Sequence, residues 1–257
     1  MDLSLDPRCL DMYTSSLQQA RCLSEGWAEN NLYCPSCLQP TLSREKASTK
    51  VLDFRCPQCY QTYNIKASMK PFAERVRDAE YHTFMQAVEE RTNPNLVLMH
   101  YDKPRLRVVD LEVIPRFFFV PSCIIPSKPT RPKSRGKPWQ GCYISLELVP
   151  YDGRIRIIED ERIEDRQMVH DKYLSTAKLL LRKTVEGRGW TADVLRCVRA
   201  LRRQAFTLEE FCQAYQEELQ SLHPKNRFIR AKIRQQLQVL RDNAIMRFRG
   251  GGNYELV

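Results

Sequence analysis

The sequence lacks any long uninterrupted apolar run. Its most apolar stretch, FFFVPSCII at residues 117–125, is broken by Pro121. It falls well short of the ~20 residues that a membrane-spanning helix needs. The opening MDLSLDPRCL has no apolar segment, so no secretory leader is expected. No internal repeat is visible. Acidic residues are in deficit: 31 Asp and Glu face 41 Lys and Arg, a net charge of +10. That balance points to an anionic partner, nucleic acid before an anionic membrane.

What is present suffices to fold. The chain has 257 residues, enough for one large domain or two ordinary ones. Hydrophobic residues make up 42% and charged residues 28%, a balance that can bury a core. A cytoplasmic protein with no membrane association is expected. Ten cysteines could suggest a disulfide scaffold, but their placement argues otherwise. Four form close pairs, Cys34/Cys37 and Cys56/Cys59, while Cys9, Cys22, Cys123, Cys142, Cys197 and Cys212 stand singly. In a reducing compartment the pairs read as metal ligands and the single thiols as small core residues.

The hydrophobic pattern alternates between helix and strand periods, so a mixed α/β fold is expected. Residues 11–29 read as a helix with Met12, Leu17, Ala20, Leu23 and Trp27 on one face. VLDFR and YNIK read as short strands, and FAERVRDAEYHTFMQAVEERT as one long helix carrying Phe72, Val76, Ala79, Phe84 and Val88. NLVLMHY, RVVDLEVIP and GRIRIIED read as further strands. The segment SKPTRPKSRGKPWQGC, with Lys128, Arg131, Lys133, Arg135 and Lys137, reads as a mobile basic loop.

The two Cys-x-x-Cys pairs are eighteen residues apart, the spacing of a structural zinc ribbon over about residues 34–59. Four thiolates at this spacing close a tetrahedron and leave no open position for catalysis. Such ribbons occur in enzymes and in transcription factors alike.

The C-terminal quarter follows helix, short strand, helix, helix, hairpin, the order of a winged helix-turn-helix. Thr191 is a candidate cap for TADVLRCVRALRR. Thr207 and Glu210 form a capping box for the next helix. In RFIRAKIRQQLQVLRDN, Ile229, Ile233, Leu237 and Leu240 share one face. Lys225, Asn226, Arg230, Arg234 and Gln235 are left toward a DNA groove, where Arg suits guanine and Gln adenine.

Asp53, Asn64 and Lys66 frame the second cysteine pair. On a strand, Asn64 and Lys66 share a face, and a hairpin around CPQC would bring Asp53 to them. Such a trio suits phosphodiester hydrolysis: the aspartate and an amide oxygen hold magnesium, and the lysine stabilises charge on the phosphate. The spacing alone is a weak signal.

The combination of motifs resembles the methyl-directed restriction endonucleases of the DpnI type. It comprises YCPSC, CPQC, Asp53-Phe54, Ile65-Lys66, NPN at 93–95, GRI at 153–155, RGWT at 188–191, FTLEE at 206–210 and IRQQLQVLRD at 233–242. The resemblance implies a PD-(D/E)xK nuclease domain with an embedded zinc ribbon, here residues 1–182, and a winged helix at 183–257. It implies magnesium-dependent cleavage of double-stranded DNA at adenine-methylated GATC by a monomer that needs no protein partner. Asp53 and Lys66 match the family pattern; Asn64 stands where the family has glutamate. By similarity Trp139 lies near the DNA; it could equally be a packing residue. Two other readings remain: a reader of methylated DNA with a silent centre, and a zinc-ribbon transcription factor with a winged helix.

Overall fold

A computed structural model describes residues 1–45, 52–130 and 139–257. Arg131, Lys133, Arg135 and Lys137 of the basic loop therefore lie outside the described residues. The chain opens with a short helix α1 (Arg8–Met12) and a longer α2 (Ser16–Asn31). Leu23 and Trp27 are buried as the helical spacing predicts, but Met12 and Leu17 are exposed. Met12 belongs to α1, which residues 13–15 separate from α2, and Leu17 lies in the first turn of α2. Cys9 and Cys22 are bonded to each other, which corrects their reading as single thiols.

Strands β1 (Ser43–Arg44), β2 (Phe54–Arg55) and β3 (Thr62–Ser68) form an antiparallel edge around the second cysteine pair. After β3 comes β4 (Arg75–Glu80), then α3 (Tyr81–Glu90), then β5 (Asn95–Asp102), which lies parallel to β3. The long helix expected over residues 72–92 is therefore half strand. Val76 and Asp78 point inward while Arg75 and Arg77 face solvent, a two-residue period that the apolar spacing disguised. Helix α3 starts only where the Glu80 carboxylate accepts the N–H groups of His82 and Thr83 at 3.1 and 2.7 Å.

The sheet continues through β6 (Arg107–Ile114). A second, three-stranded sheet is made by β4, β8 (Gly141–Ser145) and β7 (Ile124–Pro126), in that order. Strands β9 (Ile155–Glu159) and β10 (Arg162–Ile163) complete the first sheet, whose order is β1-β2-β3-β5-β6-β9-β10. The core lies along this sheet: Tyr63, Val97, Met99, Leu111, Val113 and Ile157 are fully buried.

Helix α4 (Arg166–Leu180) leads into α5 (Val185–Ala200), β11 (Ala205–Thr207), α6 (Leu208–Leu222) and α7 (Ile229–Asp242). Strands β12 (Met246–Gly250) and β13 (Asn253–Leu256) form the terminal hairpin, with β11 beside β13. Its turn needs positive φ at Gly250, Gly251 and Gly252 (89°, 56° and 81°), which glycine adopts without strain. The capping box of Thr207 and Glu210 is formed. The cap expected at Thr191 is not: Thr184 caps α5, and Thr191 lies within it, donating to Gln236 on α7 at 2.8 Å. The apolar run that suggested a start at 191 is only the later part of a helix that begins six residues earlier. No helix among the described residues is long and apolar enough to cross a membrane.

Candidate active site and metal centre

Cys34, Cys37, Cys56 and Cys59 bring their sulfurs within 4.8 Å of one another. Zn–S bonds near 2.3 Å in a tetrahedron place sulfurs about 3.8 Å apart, so the donor set fits a zinc ion in type and spacing. Each pair sits in the same backbone turn. The amide of Leu38 donates to the Cys34 carbonyl at 2.8 Å, and that of Tyr60 to the Cys56 carbonyl at 3.0 Å. Leu38 and Tyr60 take φ of 61° and 60°, the left-handed corner that turns each loop back. Burial pushes the Cys34 thiol up and the Cys59 thiol to about 11. A bound cation reverses that preference by favouring the thiolate.

Pairing of β2 with β3 closes the hairpin that the sequence suggested. Phe54 lies opposite Tyr63 and Arg55 opposite Thr62. Asp53 sits just before β2; its amide donates to the Tyr63 carbonyl at 3.0 Å. Its Oδ2 accepts the Ile65 N–H at 2.8 Å, which turns the carboxyl across the hairpin toward β3. Burial pushes the Asp53 carboxyl above its ordinary range; the Ile65 hydrogen bond opposes this, the Glu25 charge adds to it, and the Lys66 and Arg21 charges oppose it.

Asn64 and Lys66 stand on one face of β3, opposite Leu96 and Leu98 on β5. Asn64 is 9% exposed and Lys66 is half-buried. Lys66 Nζ lies 3.8 Å from Asp78 Oδ1 on β4, a residue that the helical reading of that segment passed over. Glu25 on α2 was missed as well. It is buried and held by Arg21 and Arg44. An acidic residue between Leu23 and Trp27, two apolar positions of the expected helix face, was the signal available in the sequence.

On α7, Arg234 and Gln235 are exposed, whereas Gln236, one position on, is buried. Arg230 is exposed but pairs with Glu209 at 2.7 Å. Lys225 faces solvent, while the Asn226 side chain accepts the Phe228 N–H at 2.8 Å and so serves locally to start the helix. Phe228, 77% exposed at the head of α7, is an apolar contact candidate that the sequence reading overlooked. Trp139 is exposed at the end of the basic loop, with the Arg77 guanidinium 5.5 Å over its ring and its six-membered ring against Gly141.

Two family models match the chain. One, described as DpnI, Dam-replacing family, covers residues 1–183. The other, described as the Dam-replacing HTH domain, covers residues 186–256.

Proposed function

Because the chain belongs to the Dam-replacing family of DpnI, with its DNA-binding helix-turn-helix domain, we propose that it is a methyl-directed restriction endonuclease that cleaves double-stranded DNA at adenine-methylated GATC. Residues 1–182 act as the nuclease domain around the zinc ribbon, and residues 183–257 as the winged helix that docks on DNA. The observation that supports this best is the hairpin in which the Ile65 amide holds the Asp53 carboxyl beside the strand carrying Asn64 and Lys66.

Asp53 and Asn64 offer oxygen donors of the kind a magnesium ion takes. A divalent cation held there supplies charge stabilisation at the phosphate and acidifies a water. Asp53 contributes the carboxylate, fixed through Oδ2 with Oδ1 left free of that bond. Lys66 places an ammonium where negative charge builds up on the phosphate. The zinc ribbon holds the hairpin between Asp53 and Lys66 at fixed span. Arg230, Arg234 and Gln235 face the DNA from α7, Lys225 from the turn before it, and Trp139 lies beside the DNA near the basic loop. A monomer acting without a protein partner fits this reading.

The test is one gel. The zinc-loaded protein is incubated with magnesium and two plasmids, one carrying adenine-methylated GATC and one unmethylated. Discrete fragments from the methylated plasmid alone are expected. Methyl-dependent binding without cutting would instead make the protein a reader with a silent centre.

A further inference from the structure

The proposed centre is short of negative charge. Asn64 brings a neutral amide to the position beside Asp53, and a hard divalent cation binds better with more carboxylate around it. A second carboxylate stands close by, on a different sheet. Asp78 on β4 directs Oδ1 to within 3.8 Å of Lys66 Nζ, and its side chain is only 4% exposed. That oxygen also accepts the Ala79 N–H at 2.8 Å. Among the described residues no hydrogen bond reaches Oδ2.

The backbone around Asp78 is irregular in a telling way. The β4–β8 ladder pairs Asp78 with Cys142 and then shifts register before Glu80. Such bulges re-aim a side chain, and they concentrate next to active sites. Glu25 is the buried carboxylate whose charge acts on Asp53, but its oxygens already hold the Arg21 and Arg44 guanidiniums. Among the described residues, only Oδ1 of Asp78 has a partner.

We infer that Asp78 is a further catalytic residue: with Asp53 it supplies the second carboxylate that holds the divalent cation, replacing the charge that Asn64 does not provide. The inference rests on the nuclease reading. In the absence of a cation, Lys66 occupies the space between strand β3 and Asp78 and partly neutralises it.

The experiment follows Mn2+ binding to the zinc-loaded full chain by the loss of the free-ion EPR signal, alongside plasmid cleavage. Asp78→Asn is expected to weaken Mn2+ binding by about tenfold or more. Lys66→Met should leave Mn2+ binding unchanged or tighter, because it removes a competing cation. Asn64→Glu in the Asp78→Asn background should recover binding. An ion pair with a structural role only would make Asp78→Asn and Lys66→Met behave alike, and that result overturns the proposal. So does wild-type affinity in Asp78→Asn when Asp53→Asn has lost it, an outcome that leaves the nuclease reading standing. A wild-type chain that neither binds Mn2+ nor cuts sinks both. Should Asp78→Asn fail to fold, as judged by its melting curve, Asp78→Ser carries the same comparison.

Discussion

Asp53 shows how a buried carboxyl is held at a cost to the fold. Burial raises its carboxyl above the ordinary range, and the Ile65 amide recovers only part of that. A carboxyl raised in the folded state binds more protons there than in the unfolded chain. Stability is therefore lost as pH rises from the ordinary carboxylate range through the folded value, and the loss persists above it. Asp53→Asn keeps an acceptor for the Ile65 amide and removes the charge. In zinc-loaded protein without magnesium we expect this variant to melt above wild type at pH 8, with the gap closing as pH falls, while cleavage is abolished. A melting temperature at or below wild type at pH 8 would show that the ionised carboxylate is no burden. The hairpin that sets Asp53 beside the strand of Asn64 and Lys66 was legible because a hairpin around a cysteine pair has few geometries. Asp78 was not, because its partner Lys66 belongs to the other sheet, and no local spacing reports how two sheets pack.

Elements were legible where local chemistry decides them. Thr207 and Glu210 start α6 as a capping box, and the apolar stripe of α7 buries Ile233, Leu237 and Leu240. Residues 75–80 were misread because Phe72, Val76 and Ala79 mimic a helical period, whereas pairing with β8 imposes a strand. The Cys9–Cys22 bond was likewise invisible, since it depends on α1 folding back against α2. The bond closes a loop with a sequence separation of 13 residues. A loop of that size is worth about 3 kcal/mol in chain entropy. Cys22→Ala should lose stability of that order in urea against the oxidised wild type, and none against wild type kept in dithiothreitol. Equal loss under both conditions would point to packing rather than the cross-link. The cysteine ribbon calls for a different signature. Cys56→Ser is expected to lose bound zinc by metal analysis and to unfold the hairpin, so that both DNA cleavage and the melting temperature fall together. A variant that keeps its melting temperature while cleavage stops would place Cys56 in the chemistry instead of the scaffold.

At the scale of the molecule, the regions matched by the two family models are gripped by one buried carboxylate. Asp193 on α5 is fully buried. It accepts the Ser122 hydroxyl at 3.0 Å from the region before β7, and lies 2.8 Å from His223 Nε2 at the end of α6. His223 stacks on Trp190 with ring centroids 3.8 Å apart, and Lys232 of α7 lies 5.9 Å over the other ring system. Arg188 adds a bond from its guanidinium to the Val88 carbonyl at 3.1 Å, and Arg91 reaches the Lys183 carbonyl at 2.8 Å. The RGWT segment that marks the family in sequence thus lies in the seam where α5 meets α3 and the turn before β7, and its sequence pattern did not disclose that it is buried. These contacts carry α7 and the hairpin of Asp53 on one frame, so unfolding should be shared. Wild-type calorimetry is expected to give one transition with matching calorimetric and van't Hoff enthalpies. Asp193→Ala strands the Ser122 hydroxyl and the His223 ring inside the seam, at a cost of about 2 kcal/mol. That variant should melt lower and separate into two transitions, the earlier one belonging to the winged helix. Two transitions already present in wild type would mean that the halves fold independently and that the seam does not fix their relative orientation.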